Sequence, residues 1–211
     1  MKKTCCFLSV VIVAVLLSSC GGVGGGNSGL PTSKVDFQMF SNDEELTKVF
    51  NVVIEKLGDN IHYVDKVTMY ISRPSKEGII QREGSPDTFG LSITHLYEHD
   101  KRKLYEMSYN NESKWYSVGS RSVEVHGRVD KETFRLEDEM FDMSPLTPEM
   151  LCKIVKDAQT KFCDAEKYSF QYVKDIEIEY GIVEVTIYGK LAANDLEKSN
   201  YYKADMMGNE I

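Results

Sequence analysis

The residues best suited to chemistry form the string His95-Leu96-Tyr97-Glu98-His99. Two imidazoles four residues apart lie on one face of an α-helix, where they can bind a zinc ion while the carboxylate activates water. Here, however, apolar and polar residues alternate from Phe89 to His95, which predicts a strand. On a strand the histidines would share a face but stand about 13 Å apart at ~3.3 Å per residue, too far for one tetrahedral ion.

The string resembles the H-x-x-E-H motif of the inverzincin zinc peptidases, which carry it on a helix. A metal-dependent hydrolase using His95, Glu98 and His99 is therefore an alternative hypothesis. The chain has no Gly-x-Ser-x-Gly string, and glycine-rich residues 21–29 lack the lysine and flanking elements of a phosphate-binding loop. The main expectation is no catalytic residue, no metal and no cofactor.

The N-terminus has the pattern of a secretory signal. Lys2 and Lys3 precede an apolar run from Phe7 to Leu17, and small residues follow it. The run is too short to cross a bilayer as a helix, which needs about 20 residues. Residues 1–19 are therefore predicted to be a signal peptide.

The end of this signal, Leu17-Ser18-Ser19-Cys20, resembles the lipobox of bacterial lipoproteins. The resemblance implies cleavage between Ser19 and Cys20, diacylation of the Cys20 thiol with chains such as palmitate, and acylation of the new amino terminus. Two or more acyl chains make membrane attachment stable. An ordinary secretory signal with a chance cysteine is the alternative.

The residue after the cysteine bears on location. Lipoproteins kept at the inner membrane of enteric-type bacteria often have Asp there, whereas this chain has Gly21. The resemblance therefore implies a membrane-anchored protein of the bacterial cell envelope, on the outer membrane. Whether it faces the periplasm or the cell surface is left open.

The charge of the chain restricts its partners. The chain has 25 Lys and Arg against 33 Asp and Glu, a net charge of −8, and loss of Lys2 and Lys3 leaves 23 − 33 = −10. Such a surface repels nucleic acid, so a partner attracted by charge would be cationic. Solubility alone is the alternative explanation.

A glycine-rich tether is predicted over residues 20–35, followed by a first lobe over 36–127. Ser41 is predicted to cap the first helix, with Glu44 completing a capping box, and Gly58 to end it. Alternating strands follow. The apolar face of this helix contains Leu46, Val49, Phe50, Val53 and Leu57.

Residues 128–146 are rich in charged side chains and are predicted to form a connector to a second lobe over 147–211. Thr147 is predicted to cap the second helix, with Pro148 at its first position. Further strands begin near Tyr168. The apolar face of the second helix contains Leu151, Ile154, Val155, Ala158 and Phe162.

Two cysteines remain outside the signal. Cys152 and Cys163 are both predicted on the second helix, about 16 Å apart at ~1.5 Å per residue. A disulfide needs Cα atoms within about 7 Å, so no bridge is expected between them. Both are interpreted as buried, small hydrophobic side chains.

The two halves share a pattern. The helices match at an offset of 105 residues, and the strand with Val67, Met69 and Ile71 matches Ile176, Ile178 and Tyr180 at an offset of 109. The prediction is an α+β fold of two helix-plus-antiparallel-sheet repeats, with both helices on one face and the other face open. Over 36–211 this architecture resembles the tandem PepSY-like and β-lactamase-inhibitor-like envelope modules, without a signature motif.

Tyrosine is abundant, with 12 in the chain. Exposed tyrosines on a sheet make good binding surfaces, although β-propensity alone also favours them. The functional hypothesis is a non-catalytic module that binds a protein or peptide through its open sheet face. A scaffold in outer-membrane or surface assembly is a further alternative. The predicted strand tyrosines are Tyr97, Tyr105, Tyr109, Tyr116, Tyr188, Tyr201 and Tyr202.

Overall fold

The structure is a computed structural model that describes residues 29–32, 34–73, 87–124, 130 and 132–211. It confirms the α+β class. Its helices are α1 (Asp43–Leu57) and α2 (Pro148–Phe162), with short 3-10 helices at Met39–Ser41, Gly58–His62 and Leu136–Glu139. Its strands are β1 (Val64–Ser72), β2 (Thr88–Leu96), β3 (Lys103–Asn110), β4 (Lys114–Ser122), β5 (Tyr168–Glu179), β6 (Ile182–Leu191) and β7 (Glu197–Asp205).

The seven strands form one antiparallel sheet in the order β4-β3-β2-β1-β5-β6-β7. Strands from both predicted lobes join through β1 and β5, which pair from Lys66 with Glu179 to Tyr70 with Asp175. No helix among the described residues is both long enough and apolar enough to cross a bilayer.

The first helix begins one residue later than predicted. Asn42, not Ser41, is its N-cap, and the Asn42 side chain accepts hydrogen bonds from the backbone N–H groups of Glu44 (2.9 Å) and Glu45 (3.3 Å). Ser41 instead ends a 3-10 helix, and its hydroxyl donates to Oε1 of Gln38 at 3.1 Å. Both residue types cap well, so only the local backbone decides between them. Gly58 ends the helix at φ 50°, as predicted.

The second helix begins as predicted, with the Thr147 hydroxyl accepting from the Met150 N–H at 3.2 Å and Pro148 in the first turn. It ends at Phe162, so Cys163 is its cap residue in extended conformation. Cys152 is buried and Cys163 is exposed, and both are free thiols. The expectation of no disulfide is confirmed, whereas burial of Cys163 was wrong because the helix ends before it.

One continuous hydrophobic core contains side chains of both helices and of the central strands. The predicted apolar faces of the helices are buried, except that Phe162 is only half-buried. The strand residues Val67, Met69 and Ile71 alternate with more exposed neighbours and are themselves fully buried. Alternation therefore leaves a second, more polar face to the sheet.

Two segments outside the helices and strands also pack. Leu30 and Val35, which fall within the predicted tether, are buried in the core. In the predicted connector, Met143 and Leu146 are buried in the same core, and Phe141 bridges to Val64. The packed body therefore includes parts of the segment that precedes α1 and of the segment that precedes α2.

Candidate binding face

The strand register places one row of polar side chains next to another across the sheet. Thr68 on β1 pairs with Ser92 on β2 and with Glu177 on β5, and the remaining pairs extend this face to both edges. We call this surface the polar face. Its two central rows are Tyr116, Ser108, Ser92, Thr68, Glu177, Glu184 and Lys203, and Asn110, Gly90, Tyr70, Asp175, Thr186 and Tyr201.

Three tyrosines project from the polar face, one at each edge and one at the centre. Tyr116 is 48% exposed, Tyr70 42% and Tyr201 59%. The Tyr70 ring lies across Gly90, where an added Cβ would be 2.2 Å from the Tyr70 Cζ. Glycine at position 90 therefore lets this ring lie close to the sheet.

The polar face is acidic on the β5–β6 side. Lys66 lies 2.9 Å from the Glu177 carboxylate and 3.4 Å from that of Glu179, and Lys203 lies 2.7 Å from Glu184. With Asp175, four carboxylates thus lie among three ammonium groups, since the charge of Lys174 also acts on Asp175. Since these pairs are partly exposed, solvent weakens each of them, but the excess of negative charge remains.

Asp175 is the carboxylate most affected by its surroundings. Burial raises its pKa, a hydrogen bond from Thr186 and the charge of Lys174 lower it, and the nearby Glu177 and Glu184 carboxylates raise it. A cation brought to this site would favour the charged form of Asp175. The local electrostatics therefore suit a positively charged ligand.

The other half of the polar face carries small hydroxyl groups. The Ser92 hydroxyl donates to Glu106 at 3.2 Å, and the Ser108 hydroxyl donates to Ser92 at 3.4 Å. Beyond them, Leu96 and Leu104 pack under Leu136 in a small separate cluster. This cluster covers the polar face at the Leu96 end of β2. The accessible part of the face is the remainder, which carries the tyrosine, serine and carboxylate side chains.

Near the end of β1, the positively charged side chain of Arg73 lies among aromatic rings. The Arg73 guanidinium lies 4.1 Å from the centroid of the Phe37 ring, 5.4 Å from Phe170 and 5.8 Å from Tyr172, and its side chain pairs with Asp87 at 3.4 Å. Burial raises the pKa of Tyr172 to about 12. Sequence reasoning missed this cluster because Arg73 precedes a proline and reads only as a strand break.

The H-x-x-E-H string, which carries the alternative zinc hypothesis, spans the end of β2 and the turn after it. His95 lies on β2, as predicted, and the strand ends at Leu96, so the separation of about 13 Å calculated for one continuous strand does not apply to this pair. His99 lies in the following turn and contacts the Tyr97 ring. Among the described residues, no group of three or more His, Cys, Asp or Glu side chains could hold a metal ion.

His95 has a structural environment instead. Its Nδ1 lies 2.7 Å from the carbonyl oxygen of Leu96, and its ring lies 5.6 Å from that of Tyr105. Burial lowers its pKa, while the Leu96 carbonyl and the Glu98 carboxylate oppose this shift. The predicted lipidation and cleavage residues, Ser19 and Cys20, lie outside the described residues.

Comparison of the chain with protein-family models, curated proteins and solved structures found no match in any of the three. No relative therefore supplies a function. The polar face is accordingly interpreted from its own geometry and charge.

Proposed function

We propose that this chain is a lipid-anchored protein of the bacterial cell envelope, held at the outer membrane, which binds a basic protein or peptide. The binding surface is the polar face. The observation that carries the proposal is the combination of three exposed tyrosines with an excess of carboxylates on one open sheet surface.

The lipid anchor is supported by the Leu17-Ser18-Ser19-Cys20 string after a short apolar run. Expression in a bacterial host with radiolabelled palmitate tests it. We expect label in the wild type and none in Cys20→Ser, which should also leave the membrane fraction. Unlabelled wild-type protein, or a Cys20→Ser variant that stays with membranes, would contradict the anchor.

The body is proposed to be two repeats related by an approximate two-fold axis, with both helices against one face of the sheet. In a two-fold arrangement, a residue on the axis contacts its own counterpart. Thr47 and Cys152 match at the helix offset of 105, and their Oγ1 and Sγ atoms lie 3.6 Å apart. This contact supports an axis between the helices.

The central strands support the same axis. Thr68 and Glu177, which match at the strand offset of 109, are direct register partners. The pair of Lys66 with Glu179 mirrors the pair of Tyr70 with Asp175 on either side of them. The order of strands is mirrored too, with β1, β2 and β3 opposite β5, β6 and β7. The architecture fits the PepSY-like layout considered above.

This symmetry bears on binding because the proposed axis emerges at the centre of the polar face. Tyr70 lies on β1 next to Thr68, and the carboxylates lie on the neighbouring strands β5 and β6. Tyrosine rings give contact area together with a hydroxyl, and carboxylates attract basic side chains. A cationic, extended peptide is thus the occupant that the face suits best.

The test uses two fluorescent peptides of equal length, one alternating lysine with threonine and one alternating glutamate with threonine. We expect the basic peptide to raise its fluorescence anisotropy on binding and the acidic one not to. Tyr70→Ala and the double variant Glu177→Gln, Glu184→Gln should each weaken binding several-fold.

The matched control removes two carboxylates elsewhere. Glu55 lies exposed on α1 and Glu166 lies exposed in a turn, both away from the polar face, so Glu55→Gln, Glu166→Gln makes the same change in net charge. We expect this variant to bind almost as well as the wild type. Equal loss in both double variants would show non-specific attraction and contradict the proposed face.

A further inference from the structure

At Gly29 the chain lies tightly against α1. An added Cβ at Gly29 would be 2.8 Å from Cγ2 of Val52 and 3.0 Å from the carbonyl oxygen of Lys48. The next residue, Leu30, is buried in the core. The path of the chain onto the body is therefore set by packing at this point.

The two residues after Leu30 are held by the β3–β4 hairpin. The Tyr109 hydroxyl donates to the carbonyl oxygen of Pro31 at 2.8 Å. The Lys114 ammonium donates to the carbonyl oxygens of Thr32 and Asn111. Residues 29–32 are thus held between α1 and this hairpin by packing and hydrogen bonds.

Trp115, the single tryptophan of the chain, lies close to the side chains that hold residues 29–32. Its ring is half-buried, 5.4 Å from the Tyr109 ring, and the Lys56 ammonium lies 5.2 Å from the Trp115 ring centroid. We call residues 29–32, Lys56, Lys114 and Trp115 the exit surface. Tryptophan and lysine together are typical of side chains at the membrane–water boundary.

The length of the chain between Cys20 and Gly29 limits how far the folded body can rotate relative to the membrane. From Cys20 to Gly29 there are 29 − 20 = 9 Cα–Cα steps, which reach at most about 32 Å at full extension. A domain of about 180 residues has a radius of gyration of about 16 Å, which corresponds to an outer radius of about 21 Å and to half a circumference of roughly 65 Å. The chain between Cys20 and Gly29 is thus too short to pass around the body.

We propose that the exit surface faces the bilayer and that Trp115 and Lys56 lie against the phospholipid headgroups. The proposal rests on the lipid anchor at Cys20 proposed above. In the sheet β6 lies five strands from β4, about 24 Å at ~4.8 Å per strand. The acidic part of the polar face is therefore distant from the exit surface, at a position that a partner can reach.

The experiment uses the full-length lipidated protein in phosphatidylcholine vesicles that carry a nitroxide on the headgroup. Trp115 is the native probe, and its fluorescence should be quenched by these vesicles. The matched control is Trp115→Phe combined with Tyr201→Trp, which moves the single indole to exposed β7. We expect quenching several-fold weaker in this control than in the wild type.

A second variant lengthens the chain between Gly26 and Asn27 by a glycine-serine insertion. It should stay on the vesicles but lose much of the Trp115 quenching, because the body gains freedom to turn. Flotation of the vesicles measures attachment separately. If the wild type does not float with them, the lipid anchor fails. If it floats but both indoles are quenched equally, the anchor stands and the proposed orientation is overturned.

Discussion

α1 and α2 have the same length, fifteen residues each, and bury corresponding apolar side chains in one core. Their ends differ. α1 stops at Gly58 with a φ of 50°, whereas α2 stops at Cys163, whose backbone is extended. The comparison teaches that the two helices have similar buried positions but different ends, because several residues satisfy a helix end but few fill a buried position.

The outer strands of the two halves differ in a similar way. On β4 the register shifts near Gly119, and Lys114 and Arg121 stand near the strand ends, features that discourage pairing with another chain. On β7 the C-terminal residues cover part of the edge, with the Ile211 N–H donating to the carbonyl oxygen of Lys203 at 3.1 Å. Each half thus protects its edge by a different means.

The largest expected effect tests whether the matched core positions are equivalent. Leu46 and Leu151 correspond at the offset of 105 and are both fully buried. Leu46→Ala and Leu151→Ala should each lower the free energy of unfolding by about 2–5 kcal/mol, and by similar amounts, because each leaves a cavity. Urea unfolding followed by circular dichroism measures this. A cost at one position less than half that at the other would break the comparison.

A smaller effect should separate the two helix ends. Gly58→Ala places a Cβ on a residue with positive φ and should cost about 1–2 kcal/mol. Cys163→Ala, at the matching position, keeps an ordinary extended backbone and should change the free energy of unfolding by less than about 0.5 kcal/mol. The same urea titration measures both variants. Equal costs would remove the distinction between the caps.

Removing the N-cap side chain should lower the free energy of unfolding by a similar amount in α1 and in α2. Asn42 and Thr147 each accept backbone N–H groups at the start of a helix. Asn42→Ala and Thr147→Ala should each lower the free energy of unfolding by about 1 kcal/mol, because a donor loses its partner. Asn42→Ser and Thr147→Ser serve as controls and should retain most of the free energy of unfolding that the alanine variants lose. No loss in either alanine variant would argue against these caps.

Periodicity predicted both helices, because their apolar faces repeat over fifteen residues, and alternation placed His95 on a strand. The choice between Ser41 and Asn42 could not be predicted, since adjacent residues cap equally well and the preceding 3-10 helix decides. The pairing of β1 with β5 joins residues more than a hundred positions apart, so no local pattern contains it. The acidic side of the polar face follows from that pairing and was equally inaccessible.

The smallest expected effect concerns a difference between β2 and β6, since only β2 carries a histidine. Burial lowers the pKa of His95 in the folded state, so the unfolded chain takes up a proton more readily. The stabilising effect of neutral His95 is therefore complete above its ordinary pKa of about 6.5 and is lost as the pH falls below it. The free energy of unfolding, measured by urea titration between about pH 7 and 5, should decline less steeply in His95→Gln than in the wild type. Identical slopes would mean that His95 does not titrate differently in the folded and unfolded chains, and that the histidine does not distinguish the two halves in this range.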